Sequence, residues 1–548
     1  MNISHDKNDT EVRVSIFSPA LLIAIIILSF VGAIIGIQII VTLGISANTS
    51  IIGAVLAILL SRLPFSIFSS FKFIDAQNLI QTSISAATFA AANGLMVSIG
   101  VPWVLGMPEL IYPMMAGAFV AIIIDGTILY GLFNTRAYPA SASWPAGVAT
   151  AETLWAGNKG GKRLGALLTG FAAGAIGAGF GIPMASAGIA LIGSIFALFM
   201  FAIGLLIRGF SESGLISYNL YEHYVPHGVM IGAGIVALIQ IGAIVFRNKK
   251  ETDQRIKESE ELIQSSRRIK STLIKGAIFY FLTALALTFI SQIFVTMTLP
   301  QLIGFLIFAT LAALIQEMIV GMAAMHSGWF PATAAALISL MIGILIGFPP
   351  EALAVLVGFC VATGPAFADM GFDLKTGFMI RGNGKNPNVE RYGRKQQYFA
   401  SIIGFSCALV VVALTYDFYF QQDKIVPASR LYAASIQAGS SSDVAMMLLL
   451  WAIPGAVIQL IGGAKNQIGV LFSTGLMINY PIAGWTVLVA LAVRVIIQRF
   501  FNISSDKIST FAGGLIAGDA LYSTAKAFLP TIKAKLLSLW AREFSIGI

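Results

Sequence analysis

Residues 17–43 read FSPALLIAIIILSFVGAIIGIQIIVTL, and this uninterrupted apolar stretch decides the kind of fold that the chain can adopt. A membrane core of roughly 30 Å is crossed by about 20 apolar residues in a helix, and lipid offers no hydrogen-bond partner to open backbone. A second apolar block follows at residues 47–63, and about a dozen similar blocks come after it. The sequence therefore predicts an all-α polytopic membrane protein with about 14 to 16 transmembrane helices, some of them broken or re-entrant.

The composition excludes an ordinary soluble fold. Hydrophobic residues make up 57% of the chain and charged residues only 11%. The net charge is +9, but the basic residues lie in short loops between apolar blocks, which is typical of positive-inside sorting and not of a nucleic-acid surface. We therefore predict a multi-pass protein of the cell inner (cytoplasmic) membrane, with the lipid bilayer and no nucleic acid as partner.

The charge pattern also predicts how the chain is divided. The basic stretch at residues 247–275 separates two apolar halves and is expected to be cytoplasmic. The predicted divisions are a cytoplasmic N-terminal tail at 1–16, a first transmembrane half at 17–246, the basic loop at 247–275, a second transmembrane half at 276–530 and a C-terminal tail at 531–548.

Similar segments in the two halves indicate pseudo-repeats. The tripeptide Leu-Ile-Gln occurs at residues 79–81 and 314–316, and the dipeptide Pro-Ala leads into small-residue segments at 145–146 and 365–366. Duplicated halves are a common way to build a transporter around a central site. Chance similarity between apolar sequences is the alternative.

The segment YPASASWPAGVATAETLWAGNKGG at residues 138–161 is too short and too polar for an ordinary span. Pro145 suits the first turn of a helix, where its missing N–H costs nothing, and Ser141 or Ser143 can cap the free amides. A half-helix that starts at membrane depth presents unpaired N–H groups, which suit a substrate carboxylate. The segment predicts a broken or re-entrant helix at a substrate site, with a surface loop carrying an amphipathic helix as the alternative.

A second segment of this kind is GPAFADMGFDLKTGFMIRGNG at residues 364–384. Asp369 and Asp373 are four residues apart and share one face of a helix, and Lys375 and the basic loop that follows it are the groups expected to neutralise them. Carboxylates near bilayer depth usually line a polar path, so we predict proton or cation handling. A structural salt bridge at the membrane edge is the alternative.

Other polar residues fall inside apolar stretches, where ionisable groups are costly and usually functional. They are Asp75, Gln81, Asp125, Glu317, His326 and Asp519. Asp519 stands in AGGLIAGDALYS, and the run at residues 170–181 is equally rich in glycine. Glycines at this spacing predict close helix packing.

The sequence lacks the motifs of nucleotide-driven and hydrolytic enzymes. It contains no Walker A sequence, Rossmann glycine fingerprint, HExxH or GxSxG. Cys360 and Cys407 lie in apolar stretches without CxxC spacing or a nearby histidine, so neither a disulfide framework nor a zinc site is indicated. We predict a protein that is not an enzyme, needs no cofactor or bound metal, and is driven by an ion gradient.

Four segments of the chain, taken in order, resemble the motifs of the oligopeptide transporter family, which includes the yellow stripe-like metal-chelate transporters. Residues 144–161 are similar to its Tyr-Pro-x-Gly-Thr-Ala-x-Ala-Glu motif, with Pro145, Gly147, Ala149, Ala151 and Glu152 in step. Asp369, Asp373, Lys375, Thr376 and Gly377 are similar to its Asp-x-x-x-Asp-x-Lys-Thr-Gly segment, Gln81 and Thr82 to the end of its Glu-Asn-x-x-x-Gln-Thr helix, and residues 513–521 to its last Gly-rich element. Ala76 and Val148 depart from the family, which has Glu and Thr there.

The resemblance implies proton-coupled uptake of small peptides, glutathione-like compounds or metal–chelator complexes by alternating access. It is compatible with a homodimer, and the short loops are similar to those of bacterial members.

We therefore predict a secondary active symporter for small oligopeptides or related carboxylate-bearing compounds, with metal-chelate uptake or a passive channel as alternatives. The candidate substrate-binding residues are Gln81, Ser143, Pro145, Gly147, Ala149, Glu152 and Asp369. The candidate proton-coupling residues are Asp75, Glu152, Glu317, Asp369, Asp373 and Asp519.

Overall fold

The computed structural model describes residues 14–43, 49–62, 71–159, 161–246, 256–328, 332–439, 442–466, 468–500, 507–523 and 525–526. Within these ranges the chain is helical and forms no strand, apart from one isolated bridge between Phe133 and Tyr138. The prediction of an all-α protein is confirmed for this part of the chain.

The helices are numbered α1 to α21 in chain order. They are α1 (Pro19–Leu43), α2 (Thr49–Ser61), α3 (Ile74–Phe89), α4 (Val97–Leu105), α5 (Ile111–Leu132), α6 (Pro145–Lys159), α7 (Gly161–Gly179), α8 (Met184–Ile192), α9 (Ile195–Glu212), α10 (Val225–Phe246), α11 (Ile256–Ile290), α12 (Leu299–Ser327), α13 (Ala332–Ile346), α14 (Pro350–Ala362), α15 (Pro365–Ile380), α16 (Pro387–Gln421), α17 (Pro427–Ala438), α18 (Ser442–Asn466), α19 (Ile468–Met477), α20 (Pro481–Phe500) and α21 (507–523). A π-helical segment, Ala90–Met96, joins α3 to α4.

Ten helical stretches in the described ranges are long and apolar enough to cross a membrane, and five further apolar helices are shorter. The chain is therefore a multi-pass membrane protein. The total of about 14 to 16 crossings stays a prediction.

Burial separates central helices from peripheral ones. We compare the share of buried residues in the 18-residue apolar window of each stretch. All residues of this window (100%) are buried in Pro350–Ile380 and 94% in Ile74–Leu105, but only 22% in Pro481–Phe500. Outer helices expose large apolar side chains such as Leu449 and Ile461, which suit contact with lipid. The stretches around α3 and α15 therefore form the interior of the molecule.

The central stretch Pro350–Ile380 is interrupted between α14 and α15. Thr363 has an extended backbone, and Gly364 follows with a φ of 97°, in the region that favours glycine. Pro365 then starts α15, where the first turn needs no N–H from it. The sequence prediction of a helix interruption at this point is confirmed.

A second interruption lies between α19 and α20. Gly475, Asn479, Pro481 and Gly484 predict a break in the apolar block 467–499, and the chain leaves the helix at residues 478–480 before Pro481 starts α20. This prediction is also confirmed.

The glycine-rich runs pack helices closely, as their spacing predicts. A Cβ atom at Gly170 or Gly174 of α7 would collide with the backbone of α21, and one at Gly514 or Gly518 of α21 would collide with α7. Small residues four apart thus bring the two backbones into contact.

The predicted loop and tails lie partly outside the described residues. Residues 247–255 of the basic loop 247–275, residues 1–13 of the N-terminal tail and the whole of 531–548 are not described. The remainder of the basic loop is helical, because α11 begins at Ile256 and continues without a break into the following span.

Candidate functional site

The first turn of α15 begins inside the molecule and is capped by a carboxylate from α5. Asp125 Oδ2 accepts hydrogen bonds from the backbone N–H groups of Gly364 at 2.9 Å and Phe367 at 2.7 Å. A helix N-terminus leaves its first N–H groups without intrahelical partners and favours negative charge. Asp125 therefore holds the start of the helix that carries Asp369 and Asp373.

Asp369 and Asp373 face α3 and are fully buried. Ser85 Oγ donates a hydrogen bond to Asp369 Oδ1 at 2.5 Å, and Gln81 Nε2 donates one to Asp373 Oδ1 at 2.5 Å. Gln81 and Ser85 are four residues apart on α3, as the two aspartates are on α15. The two contacts therefore lie one helical turn apart along the contact between α3 and α15. The predicted residues Gln81, Asp369 and Asp373 are thus brought together.

Lys375 does not neutralise the two aspartates, contrary to the prediction. Its Nζ atom donates to the carbonyl oxygens of Ala140 at 2.8 Å and Ala142 at 3.0 Å. The described groups that hydrogen-bond the aspartate side chains are alcohols and an amide, and all of them are neutral. The reason for the difference is geometric, since residues 373 and 375 point in different directions on a helix.

Several polar atoms along the contact between α3 and α15, here called the seam, have no hydrogen-bond partner among the described residues. These atoms are Asp369 Oδ2, Asp373 Oδ2, Gln81 Oε1 and both side-chain polar atoms of Asn78. Buried polar groups are nearly always satisfied in folded proteins, so such a group calls for a proton, a water molecule or a polar ligand. The seam therefore offers acceptors and donors that the described protein groups do not use.

α6 lies directly against α15. Pro145 starts α6 after Trp144, and a Cβ atom at Gly147 would collide with the Phe372 carbonyl oxygen. Thr376 Oγ1 donates a hydrogen bond to the Gly147 carbonyl oxygen at 3.0 Å. The two helices that the sequence analysis selected are thus neighbours, and glycine is required for their close approach.

Two other predicted residues, Ser143 just before α6 and Ala149 within it, contact other helices. Ser143 Oγ donates a hydrogen bond to the Met325 carbonyl oxygen at 2.7 Å, at the end of α12. The backbone of Ala149 lies against Gly513 of α21, because a Cβ atom at Gly513 would be 3.1 Å from the Ala149 carbonyl oxygen. Both residues tie α6 to other helices.

Glu152 is paired with a cation. Arg163 of α7 donates to Glu152 through Nε at 3.0 Å and Nη2 at 2.9 Å, and Thr510 Oγ1 of α21 donates to Oε2 at 2.6 Å. The Glu152 side chain is 3% exposed and the Arg163 side chain 26%. A two-pronged guanidinium contact compensates the carboxylate charge well.

The other proton-coupling candidates lie apart from the seam. Asp75 is in the first turn of α3, about 9 Å along the helix axis from Gln81. Glu317 of α12 accepts a hydrogen bond from Tyr280 of α11. Asp519 of α21 accepts one from the backbone N–H of Ala185 at 2.6 Å, in the first turn of α8.

Sequence reasoning singled out Gln81 of α3 but overlooked its neighbours Asn78 and Ser85. A signal was present, because the otherwise apolar helix contains many polar residues. The buried polar residues of α3 are Gln77, Asn78, Gln81, Thr82, Ser83, Ser85 and Thr88.

Over the described part of the chain, His, Cys, Asp and Glu side chains form no group of three or more that could hold a metal ion. The fold is therefore that of a multi-pass membrane protein whose central, interrupted helix carries enclosed carboxyl groups. Such an arrangement is typical of secondary transporters.

A family model described as OPT oligopeptide transporter protein matches residues 166–529. This range is most of the chain, and the chain belongs to the OPT oligopeptide transporter family. It includes α15 with Asp369 and Asp373, whereas α3 and α6 precede it. A search of curated protein sequences finds no match to the chain. The family is one of membrane transporters, and it supports oligopeptide transport as the general activity of this chain.

Proposed function

We propose that this transporter is a proton-coupled symporter of small oligopeptides or related carboxylate-bearing compounds in the cell inner membrane. The observation that carries the proposal is the buried pair Asp369 and Asp373, to which neutral groups donate hydrogen bonds.

Burial without a cation makes two neighbouring carboxylates costly to ionise together. Desolvation disfavours each charge, and each carboxylate disfavours the charge on the other. Binding of a proton relieves both effects. A transporter in which such a pair is alternately open to the two sides of a membrane can move protons along their gradient.

The seam between α3 and α15 also offers contacts to a polar substrate. Gln81 Oε1 and the Asn78 amide group have no hydrogen-bond partner and lie on the α3 face that Ser85 shares. A peptide backbone has both donors and acceptors that suit these groups. We place the substrate along this seam, between α3, α15 and the start of α6.

We keep the residues Ser143, Pro145, Gly147, Ala149 and Glu152 as the α6 side of the proposed substrate site. Gly147 is already packed against α15, so entry of a substrate requires α6 and α15 to separate. Rigid movement of one group of helices against another is a common form of alternating access.

Proton coupling is tested by gradient-driven uptake of labelled short peptides into proteoliposomes. We expect Asp373→Asn to reduce accumulation at least about tenfold, because the amide cannot carry the proton, while counterflow exchange of substrate continues. The matched control is Asp417→Asn, since Asp417 is exposed on α16 and its side chain is hydrogen-bonded to Gln421.

Each outcome of this assay has a clear meaning. Accumulation by Asp373→Asn at the wild-type level would contradict the proposed role of the pair. Equilibration without accumulation by the wild type would indicate a passive channel. A parallel assay with a labelled iron–chelator complex tests metal-chelate uptake, which is supported if this cargo accumulates and the peptides do not.

A further inference from the structure

A second buried pair of carboxyl groups lies beside the break in the central helix. Asp125 of α5 and Glu317 of α12 are both fully buried. The two carboxyl groups are within hydrogen-bonding reach of each other. The proposed transport cycle makes no use of this pair.

One oxygen of each carboxyl group already has partners. Asp125 Oδ2 accepts from the backbone N–H groups of Gly364 and Phe367, at the N-terminus of α15. Glu317 Oε2 accepts from the Tyr280 hydroxyl at 2.7 Å. Two backbone donors at a helix N-terminus favour the ionised form of Asp125.

The other oxygen of each carboxyl group lacks a donor in the described part of the chain. Asp125 Oδ1 and Glu317 Oε1 receive no hydrogen bond from any described protein group. Two adjacent acceptors without a donor repel each other, and their burial makes that repulsion strong. A single proton between them converts the repulsion into a short hydrogen bond between an acid and a carboxylate.

Among the residues that the structure describes, no cation interacts with the pair to replace this proton. In the described part of the chain, the titratable groups that interact with the pair are Tyr280 of α11 and Tyr138 of the segment before α6, and Cys360 of α14 interacts with Tyr280. The Tyr138 hydroxyl donates to the Met318 carbonyl oxygen at 3.0 Å, so it is already engaged. None of these groups is a cation.

We propose that Asp125 and Glu317 share one resident proton, carried by Glu317, and that this pair positions the N-terminus of α15. The proton stays in place during transport, in contrast to the proton that Asp369 and Asp373 exchange. Asp125 is thus a positioning residue for Asp369, which follows the capped residue Phe367 by two positions.

Infrared spectroscopy detects the resident proton directly, through the carbonyl stretching band of a protonated carboxyl group. The protein is purified in a detergent without carbonyl groups, in an Asp369→Asn, Asp373→Asn background that removes the other pair. At neutral pH we expect this background to retain a protonated-carboxyl band, and the further change Glu317→Gln to remove it. A glutamine Nε2 donates to Asp125 in place of the proton, so the fold is preserved.

The assignment to Glu317 has its own check. Asp125→Asn in the same background should keep the band, displaced in frequency, because Glu317 loses its charged acceptor. Absence of the band at neutral pH in the background protein would overturn the proposal, as would its persistence after Glu317→Gln. This readout is independent of transport and therefore of the proposed symport.

The positioning role is tested by uptake, and only this part rests on the proposed function. Asp125→Ala removes the acceptor of two backbone donors, and Asp125→Asn restores one oxygen. We expect Asp125→Asn to give about fivefold more uptake than Asp125→Ala, at equal amounts of monodisperse protein. Glu317→Gln should exceed Glu317→Ala in the same way and leave the pH optimum of uptake unmoved.

Two results would contradict the positioning role. Equal uptake by Asp125→Ala and Asp125→Asn would show that the cap on α15 is dispensable. A displaced pH optimum in Glu317→Gln would show that the proton on this pair is exchanged during transport. If uptake by the wild type were independent of a proton gradient, the symport proposal would fail while the infrared result stood.

Discussion

The two proline-started helices α6 and α15 lie side by side and carry carboxylates in opposite electrostatic situations. On α6, Glu152 is held by the Arg163 guanidinium and the Thr510 hydroxyl. On α15, Asp369 and Asp373 accept hydrogen bonds from the neutral side chains of Ser85 and Gln81. A carboxylate with a cation stays ionised at little cost, whereas a buried one without a cation is stabilised by taking up a proton.

The difference separates two roles that the sequence analysis gave to the same group of residues. Glu152 with Arg163 connects α6 to α7 and suits a structural or substrate-contacting role. Asp369 and Asp373 are the pair for which we propose proton exchange. The contrast predicts that loss of charge has opposite effects on the stability of the two helices.

The largest effect is expected from Arg163→Ala. Removal of the guanidinium leaves a buried Glu152 carboxylate without its cation, which should lower the free energy of unfolding by about 3 kcal/mol. The thermal midpoint of the detergent-purified protein measures the change. Adding Glu152→Gln to Arg163→Ala should recover most of the loss.

The matched control for that pair is Arg430→Ala. Arg430 and Asp423 form an exposed ion pair, with side chains 45% and 82% exposed. Its loss should cost about 0.5 kcal/mol or less. Equal effects of Arg163→Ala and Arg430→Ala would show that the α6 pair is not a compensated buried charge.

An intermediate effect is expected from Gly147→Ala. The added methyl group meets the Phe372 carbonyl oxygen and the Lys375 side chain, so α6 and α15 must move apart. The expected loss is about 1–3 kcal/mol, again read as a lower thermal midpoint.

Gly304→Ala is the matched control for the glycine. Gly304 also lies in a helix, and a Cβ atom added there would meet no heavy atom within 4 Å. Alanine should leave stability unchanged or raise it by up to about 1 kcal/mol. Equal changes in the thermal midpoint for Gly147→Ala and Gly304→Ala would contradict the close backbone contact between α6 and α15.

The smallest effect on stability is expected from Asp369→Asn combined with Asp373→Asn. The exchange removes two buried carboxyl groups that have no cationic partner in the described part of the chain, so the free energy of unfolding should stay the same or rise by about 1 kcal/mol. A clear loss of thermal stability would mean that the pair is held in its charged form by a contact outside the seam.

The starts and breaks of these helices could be predicted from the sequence because they depend on local residues. Pro145 and Pro365 start helices since proline needs no N–H partner in a first turn, and Asn479 with Pro481 marks a break. The apolar blocks gave the all-α membrane class for a similar reason, namely the length that a bilayer requires.

The partners of polar side chains were much less predictable. Lys375 follows Asp373 by two positions yet binds carbonyl groups 233 and 235 positions away in the chain. Glu152 of α6 is compensated by Arg163 of α7, and Asp125 caps α15 through Gly364, which lies 239 positions later. Such contacts depend on how helices pack, and one sequence does not specify that packing.

Proton movement coupled to substrate uptake is the most direct test of the central claim. Proteoliposomes that contain a pH-sensitive dye are held without an imposed gradient, and labelled short peptides are added outside. For the wild type we predict acidification of the interior that depends on peptide concentration, and for the Asp369→Asn, Asp373→Asn protein no acidification. Peptide uptake by the wild type without any change in internal pH, or unaltered acidification by the double variant, would contradict it.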